Sequence, residues 1–367
     1  VSNGDLIHVV SHQDISASRR RAGRILIRGS FVLLLLVLGA QALQVLGVVD
    51  LGFTNWQPTL LAWILWCVSL CVGQVLIRGE QGKRILFVLP AALFVVSLTV
   101  IPLLLGIAIA FADWNLSSPT GPRFAGLENI ERMLSDAFYW NALVNMVWFC
   151  LAILVEYAIA FGLALLLSAQ IRARRFFRVA FLLPLMLSPV AVSWMIGKSM
   201  LEFRFGPVPK LARMLGWEEP AFFASPELAK LTMMVLDAWI FIPFMMLMLL
   251  AGLQALPREV IEAARVDGAS AWQSFRKVIF PLMLPVSLTA IVVRLIFKLK
   301  LADIVINITA GGPGGATDTV TSFIFREYRD RSNVGYGTLL AIVYLLIIIV
   351  GLTLLLRGLS RWMRPYS

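Results

Sequence analysis

Arg294 and Lys298 stand four residues apart inside the apolar run 281–301, and two acids, Asp237 and Glu156, stand inside the apolar runs 231–254 and 139–167. Four residues is just over one helical turn, so Arg294, Lys298 and Leu301 share a face while Lys300 points elsewhere, able to reach an interface. At about 1.5 Å per residue, counted from the 255–280 segment, Phe244 and Phe241 lie roughly 20 and 24 Å along one helix. Arg294 and Lys298 lie roughly 20 and 26 Å along the next. The two sets meet at one level. A charge at such depth costs about 2.5–3.5 kcal/mol even on the lenient insertion scale, so something must offset it. Two chemistries fit. Asp237 pairs with one cation and Glu156 with the other as bundle glue, or at least one cation waits for an anionic group on a ligand.

A second set of charges lies in "VIEAARVDGASAWQSFRKVIFP", residues 260–281. Pro257 suits a helix start and Gly268 a helix end, which predicts a short helix over about 257–267. Ser270 and Gln273 then form the S-x-x-Q pattern of a capping box, and Trp272, Phe275, Val278 and Ile279 recur at helical spacing. The result is a helix-glycine-helix hook leading into Pro281. It presents Glu259, Glu262, Arg265 and Asp267 to water while its apolar stripe holds it down. An amphipathic loop lying on lipid headgroups fits the same pattern.

The elements that position these residues are membrane spans. With 59% hydrophobic residues and only 14% charged in 367, the chain exceeds what a soluble core can hide. The expected fold is an all-α integral membrane protein of about eight transmembrane helices: 30–49, 59–77, 85–111, 139–167, 179–198, 231–254, 281–301 and 337–356. The segments on one side hold 19 Lys and Arg and those on the other side 10. That bias places both termini and the hook in the cytoplasm. The net charge of +11 is therefore a topology signal and a fit to anionic lipid, with no nucleic-acid partner implied. The first apolar run follows Arg19, Arg20, Arg21, Arg24 and Arg28 and is expected to stay as an anchor.

Other chemistries lack their residues. Cys67, Cys71 and Cys150 sit in apolar runs, which supports neither disulfides nor a thiolate metal site. His8 and His12 have a helical pair spacing but no third ligand. The glycine-rich run 311–317 has no Lys, so it is no phosphate-binding loop and is expected as a tight outer turn. No catalytic constellation converges on one level. An intramembrane enzyme would need one, and a secondary transporter would need inverted repeats and an ion site of its own.

Glu262-Ala263-Ala264, Gly268 six residues after the Glu, and Val278-x-Phe280-Pro281 resemble the EAA motif of ABC importer permeases, with Val for Ile and Phe for Leu as the departures. The stretches 124–145, 174–192, 237–257 and 303–317 agree in order with the sugar-type branch of that family. The resemblance covers about 85–367. It implies a type I importer permease fold, with a six-helix core over 85–367, a coupling loop at 255–281, and residues 1–84 as a tail plus two additional helices like those of maltose-type permeases. It further implies that Glu262, Ala263, Ala264, Asp267 and Gly268 seat in a cytoplasmic ATPase subunit. By position, Asp237, Phe241, Phe244, Arg294, Lys298 and Leu301 match the sugar-lining residues, with two cations where the family has neutral polar residues.

The implied function is import of a sugar or sugar derivative, one bearing a sulfonate, phosphate or uronate if a cation is free. A polar non-sugar such as a glycerophosphate is the rival cargo. The implied partners are a second permease, two ATPase subunits and an extracytoplasmic solute-binding protein, in a bacterial inner membrane. No cofactor is expected on this chain, since ATP and Mg belong to the ATPase, and no enzymatic activity is expected of it.

Overall fold

The structure is a computed structural model and describes residues 16–45, 55–119, 121–169 and 174–363. His8 and His12 lie outside the described residues. Packing divides the chain into two compact units, Val1–Leu105 and Gly106–Ser367.

The first unit contains α1 (Ala17–Val45), α2 (Gln57–Arg78) and most of α3 (Glu80–Ala110). Their Leu, Val, Ile and Ala runs favour helices, since a backbone in lipid must satisfy its own hydrogen bonds, and α3 carries Pro90 and Pro102 within its length. The Trp63 indole donates to Ser97 Oγ at 2.9 Å, tying α3 to α2. The packing division falls inside α3, after Leu105.

The second unit opens with the two-residue strands β1 (Ala112–Asp113) and β2 (Arg123–Phe124), paired antiparallel, and the short α4 (Glu128–Ser135). α5 (Ala137–Ser168) starts at Asp136, whose carboxylate accepts from the amides of Phe138 and Tyr139 and from the Tyr336 hydroxyl. Capping satisfies amides that a helix start otherwise leaves free.

The expected continuous span over 179–198 is broken. α6 (Arg174–Met186) and α7 (Pro189–Val192), which runs on through π-helical turns to Met200, meet at 97°. Proline has no amide to donate and pushes its predecessor out of the helical region. Ser188 accordingly sits at φ −62°, ψ 137°. Seven other helices are long and apolar enough to cross a membrane, making eight spans among the described residues if the bent pair counts as one.

After α8 (Pro207–Met214), α9 (Pro226–Ala255) begins with Ser225 as its cap and Pro226 in its first turn. α10 (Arg258–Val266) and α11 (Ala271–Ser274) form the hook, and π-helical turns over Phe275–Ile279 carry the chain into α12 (Phe280–Leu299). α13 (Asp303–Ile308), α14 (Val320–Arg329) and the long α15 (Val334–Met363) complete the fold. Two apolar clusters hold this unit. Tyr139, Phe149, Met233, Ile240 and Phe323 belong to the one away from the hook. Ile153, Phe161, Met245, Leu249 and Met283 belong to the one toward it.

Candidate functional site

Where the two clusters meet, α5, α9 and α12 bring four charges together. Arg294 Nε donates to Glu156 Oε2 at 2.7 Å and Lys298 Nζ to Glu156 Oε1 at 2.7 Å. Both cations also donate to Asp237 Oδ2. Arg294, Lys298 and Asp237 are fully buried and Glu156 is 1% exposed. Two cations against two carboxylates sum to zero, and each acid bridges both bases. The expectation of a cation left free for an anion is not met, because bringing α5 against both α9 and α12 supplies a second carboxylate. One donor, Arg294 Nη1, and one acceptor, Asp237 Oδ1, carry no hydrogen bond within the quartet.

The aromatic residues form a layer beside it. The Arg294 guanidinium lies 4.3 Å from the centre of the Phe241 ring. Phe241 stacks on Phe297 at 6.0 Å, and Phe244 meets Phe297 edge-on at 5.7 Å. Phe241 and Phe244 are half-buried and Phe297 is 46% exposed, so the layer has an open face. Phe297 was not singled out in the sequence, although it stands three residues after Arg294, on a neighbouring face of α12. Leu301 is not part of the layer. α12 ends at Leu299, Lys300 turns out of the helix, and Leu301 is buried in the cluster away from the hook, with its carbonyl accepting from Thr319 Oγ1 at 2.5 Å.

The hook matches its expected form closely. α10 starts one residue later than predicted, with Pro257 as the preceding residue rather than in the first turn. Gly268 has φ +76°, the left-handed conformation that costs a side chain most. Ser270 and Gln273 make the reciprocal bonds of a capping box. Phe275 packs edge-on against Phe161 of α5 at 5.7 Å, which fixes the hook to the bundle. Trp272, placed on the buried stripe by its spacing, stacks on Phe275 but is 66% exposed. Glu262, Ala263, Asp267 and Gly268 are exposed and Ala264 half-buried, and no side chain of α10 is buried. A cleft of about 960 Å³ separates α10 from the end of α5, lined by Leu165, Ser168, Leu256, Glu262 and Arg265 among others.

At the other end, the glycine-rich run is a tight turn held to α5. Asn141 and Asn145 both donate to the Gly315 carbonyl, at 2.8 and 2.9 Å. Asp318 is buried at 1% exposure and accepts from Ser322 Oγ at 3.0 Å and from Arg326. Burial pushes its carboxyl up to about 6, against the opposing pull of Arg326. This network was not read from the sequence, since its members scatter from 141 to 326.

The hook is continuous with α12 and follows closely on α9, and the same two helices hold the polar centre, partway along α9 and toward the end of α12 away from the hook. The family profile for the inner membrane component of binding-protein-dependent transport systems matches residues 158–365. The chain belongs to this family. The permease is 32% identical to the sulfoquinovosyl glycerol transport permease of Agrobacterium fabrum, over 72% of this chain and 86% of that one. It is 31% identical to the trehalose/maltose transport permease of Thermococcus litoralis, over 62% and 76% respectively. A crystal structure of a bacterial alginate ABC transporter, in complex with its alginate-pentasaccharide-bound periplasmic protein, superposes with TM-score 0.64 at 19% identity, covering 76% and 93%. That likeness shows the type I ABC importer permease fold. As a multi-pass inner-membrane permease, the chain is a transport subunit rather than an enzyme.

Proposed function

We propose that this permease is the transmembrane subunit of an ATP-driven importer for a sugar or sugar derivative, working by alternating access. The carrying observation is one of connection. The exposed Glu262 hook joins α9 to α12 through short linkers, and these are the helices that bear the aromatic layer and the charge quartet. Rigid-body rocking driven from the hook would therefore move the layer directly. The relatives named for trehalose/maltose and sulfoquinovosyl glycerol support a carbohydrate cargo.

In this reading a sugar ring lies on the open face of Phe241, Phe244 and Phe297, and the quartet holds that platform through Arg294. The quartet's spare donor and acceptor, Arg294 Nη1 and Asp237 Oδ1, suit hydroxyl groups once α9 and α12 part. Neither needs a charged cargo. The expectation of an anionic sugar thus rests on the sulfoquinovosyl relative alone, and a glycerophosphate is recognised by no feature of the layer.

The partners in this reading are a second permease, two ATPase subunits that hold ATP and Mg, and an extracytoplasmic binding protein, with both termini of this chain in the cytoplasm. The test is uptake by the complex reconstituted in vesicles with its binding protein saturated, comparing neutral sugars, their sulfonated or uronic counterparts, and glycerol phosphate. ATP-dependent uptake of at least one carbohydrate is expected. Uptake of glycerol phosphate alone, or uptake without ATP, overturns the reading.

A further inference from the structure

The N-terminal hairpin carries a concentration of charge that transport does not use. Arg19, Arg20, Arg21, Arg24 and Arg28 occupy the first three turns of α1, Arg78 ends α2, and Lys83 and Arg84 begin α3. All eight are exposed. Neither α1 nor α2 contains a carboxylate. The acid nearest in sequence, Glu80, is held by Lys83 at 2.7 Å, and the arginines of α1 and α2 make no ion pair among the described residues.

The hairpin presses these charges together. A Cβ on Gly23 would meet Ile77 and the Gly73 carbonyl, and one on Gly73 would meet Ile27. The two backbones thus cross closely at the level of Arg24 and Arg78, where like charges repel. Exposed like charges at such a level repel by only about 1 kcal/mol at 4 Å in water, more beside the low-dielectric apolar band, and an anion seated among them turns that repulsion into attraction.

The position along the helix says which anions. At about 1.5 Å per residue, the 29 residues of α1 span about 43 Å, more than the roughly 30 Å of hydrocarbon. The excess is the arginine-bearing end. Directly beyond it the same helix exposes Phe31, Val32, Leu35 and Leu36. A basic band above an apolar band complements one molecule at both ends, a phospholipid with an anionic head. An acidic protein partner would match only the first band.

We propose that the α1–α2 hairpin, with the start of α3, is a binding surface for anionic phospholipid, seating headgroup phosphates among Arg20, Arg24, Arg28 and Arg78. The surface belongs to the first unit alone and depends neither on the cargo nor on which way the termini face.

Native mass spectrometry of the full-length permease in its complex tests this, with phosphatidylglycerol or phosphatidylcholine titrated into neutral detergent. The wild type is expected to retain phosphatidylglycerol over phosphatidylcholine. Substituting Arg20, Arg24, Arg28 and Arg78 by Gln is expected to weaken phosphatidylglycerol binding at least tenfold and leave phosphatidylcholine unchanged. The same four positions substituted by Lys should keep the preference, which separates charge from misfolding. Equal binding of the two lipids by the wild type, or an undiminished preference in the Gln variant, overturns the proposal. So does a Gln variant that keeps its lipid but loses its ATPase partner, since the surface would then serve a protein.

Discussion

Arg294 stacks its guanidinium on the ring of Phe241 at 4.3 Å while its Nε bonds Glu156 at 2.7 Å, so one side chain ties the aromatic layer to the charge quartet. Removing Arg294 should act in two ways. Arg294→Gln leaves two buried carboxylates facing Lys298 alone, which costs about 3–5 kcal/mol of stability. Adding Asp237→Asn restores neutrality through the remaining Glu156–Lys298 pair and should recover most of that loss. Thermal unfolding of the purified permease measures both, and a double variant no more stable than the single one contradicts the balanced quartet.

The aromatic layer should govern cargo affinity rather than coupling. Phe297→Ala removes a stacked and an edge-on partner, each worth about 0.5–1.5 kcal/mol. The expected result is a KM for uptake raised several-fold with ATPase stimulation by the loaded binding protein retained. Unchanged KM in saturated vesicles would remove Phe297 from the pathway.

At the hook, Glu262→Ala is expected to weaken ATPase docking by roughly 2–5 kcal/mol, the range for truncating one partner of an interfacial charge pair. Gly268→Val opposes the φ of +76° and costs about 1–2 kcal/mol at that turn. Both should abolish uptake while the membrane content of the protein stays normal. Co-purification of the ATPase reports the first effect, and wild-type uptake by both variants refutes the coupling role.

Asp318 gives the glycine-rich turn a pH dependence. Its carboxyl ionises near 6 when folded against 3.8 unexposed to that burial, so the folded turn holds a proton that the unfolded chain has lost. Its stability contribution is therefore greatest below about pH 4 and falls as pH rises to about 6, by an amount on the order of 3 kcal/mol at most. Hydrogen exchange of residues 309–322 should quicken across that window beyond the intrinsic rate. Asp318→Asn should flatten the profile, and an identical profile in the variant would exclude Asp318 as its source.

Topology is checked in a background with Cys67, Cys71 and Cys150 replaced. A cysteine at Ser270 should be labelled only from the cytoplasm and one at Glu128 only from outside, because both positions are exposed and the positive charge favours the hook side. Labelling of both from one side would mean that the bent α6–α7 pair, or another span, does not cross.

Local signals were legible and distant ones were not. The hook could be read nearly residue by residue because a left-handed glycine and a capping box act within a few positions. Depth arithmetic put Phe241, Phe244, Arg294 and Lys298 on one level because long helices advance uniformly. It failed at Leu301, since nothing in an apolar run announces that the helix stops at Leu299. It also failed at 179–198, where hydropathy summed over the segment is blind to the elbow that Pro189 makes. Which base meets which acid depends on how α5, α9 and α12 are rotated against one another, and that rotation is set by packing across up to 142 residues of sequence.

The zero sum of the quartet has an electrical meaning. Each unbalanced charge moved through the membrane field exchanges about 2.3 kcal/mol per 100 mV with it. Four charges that travel as a neutral set exchange almost nothing. Rocking that carries α5, α9 and α12 as one body is then indifferent to the membrane potential, whereas sliding α9 and α12 past α5 moves one net positive charge against the Glu156 carboxylate, so a voltage dependence of uptake with a neutral cargo reports separation of the quartet.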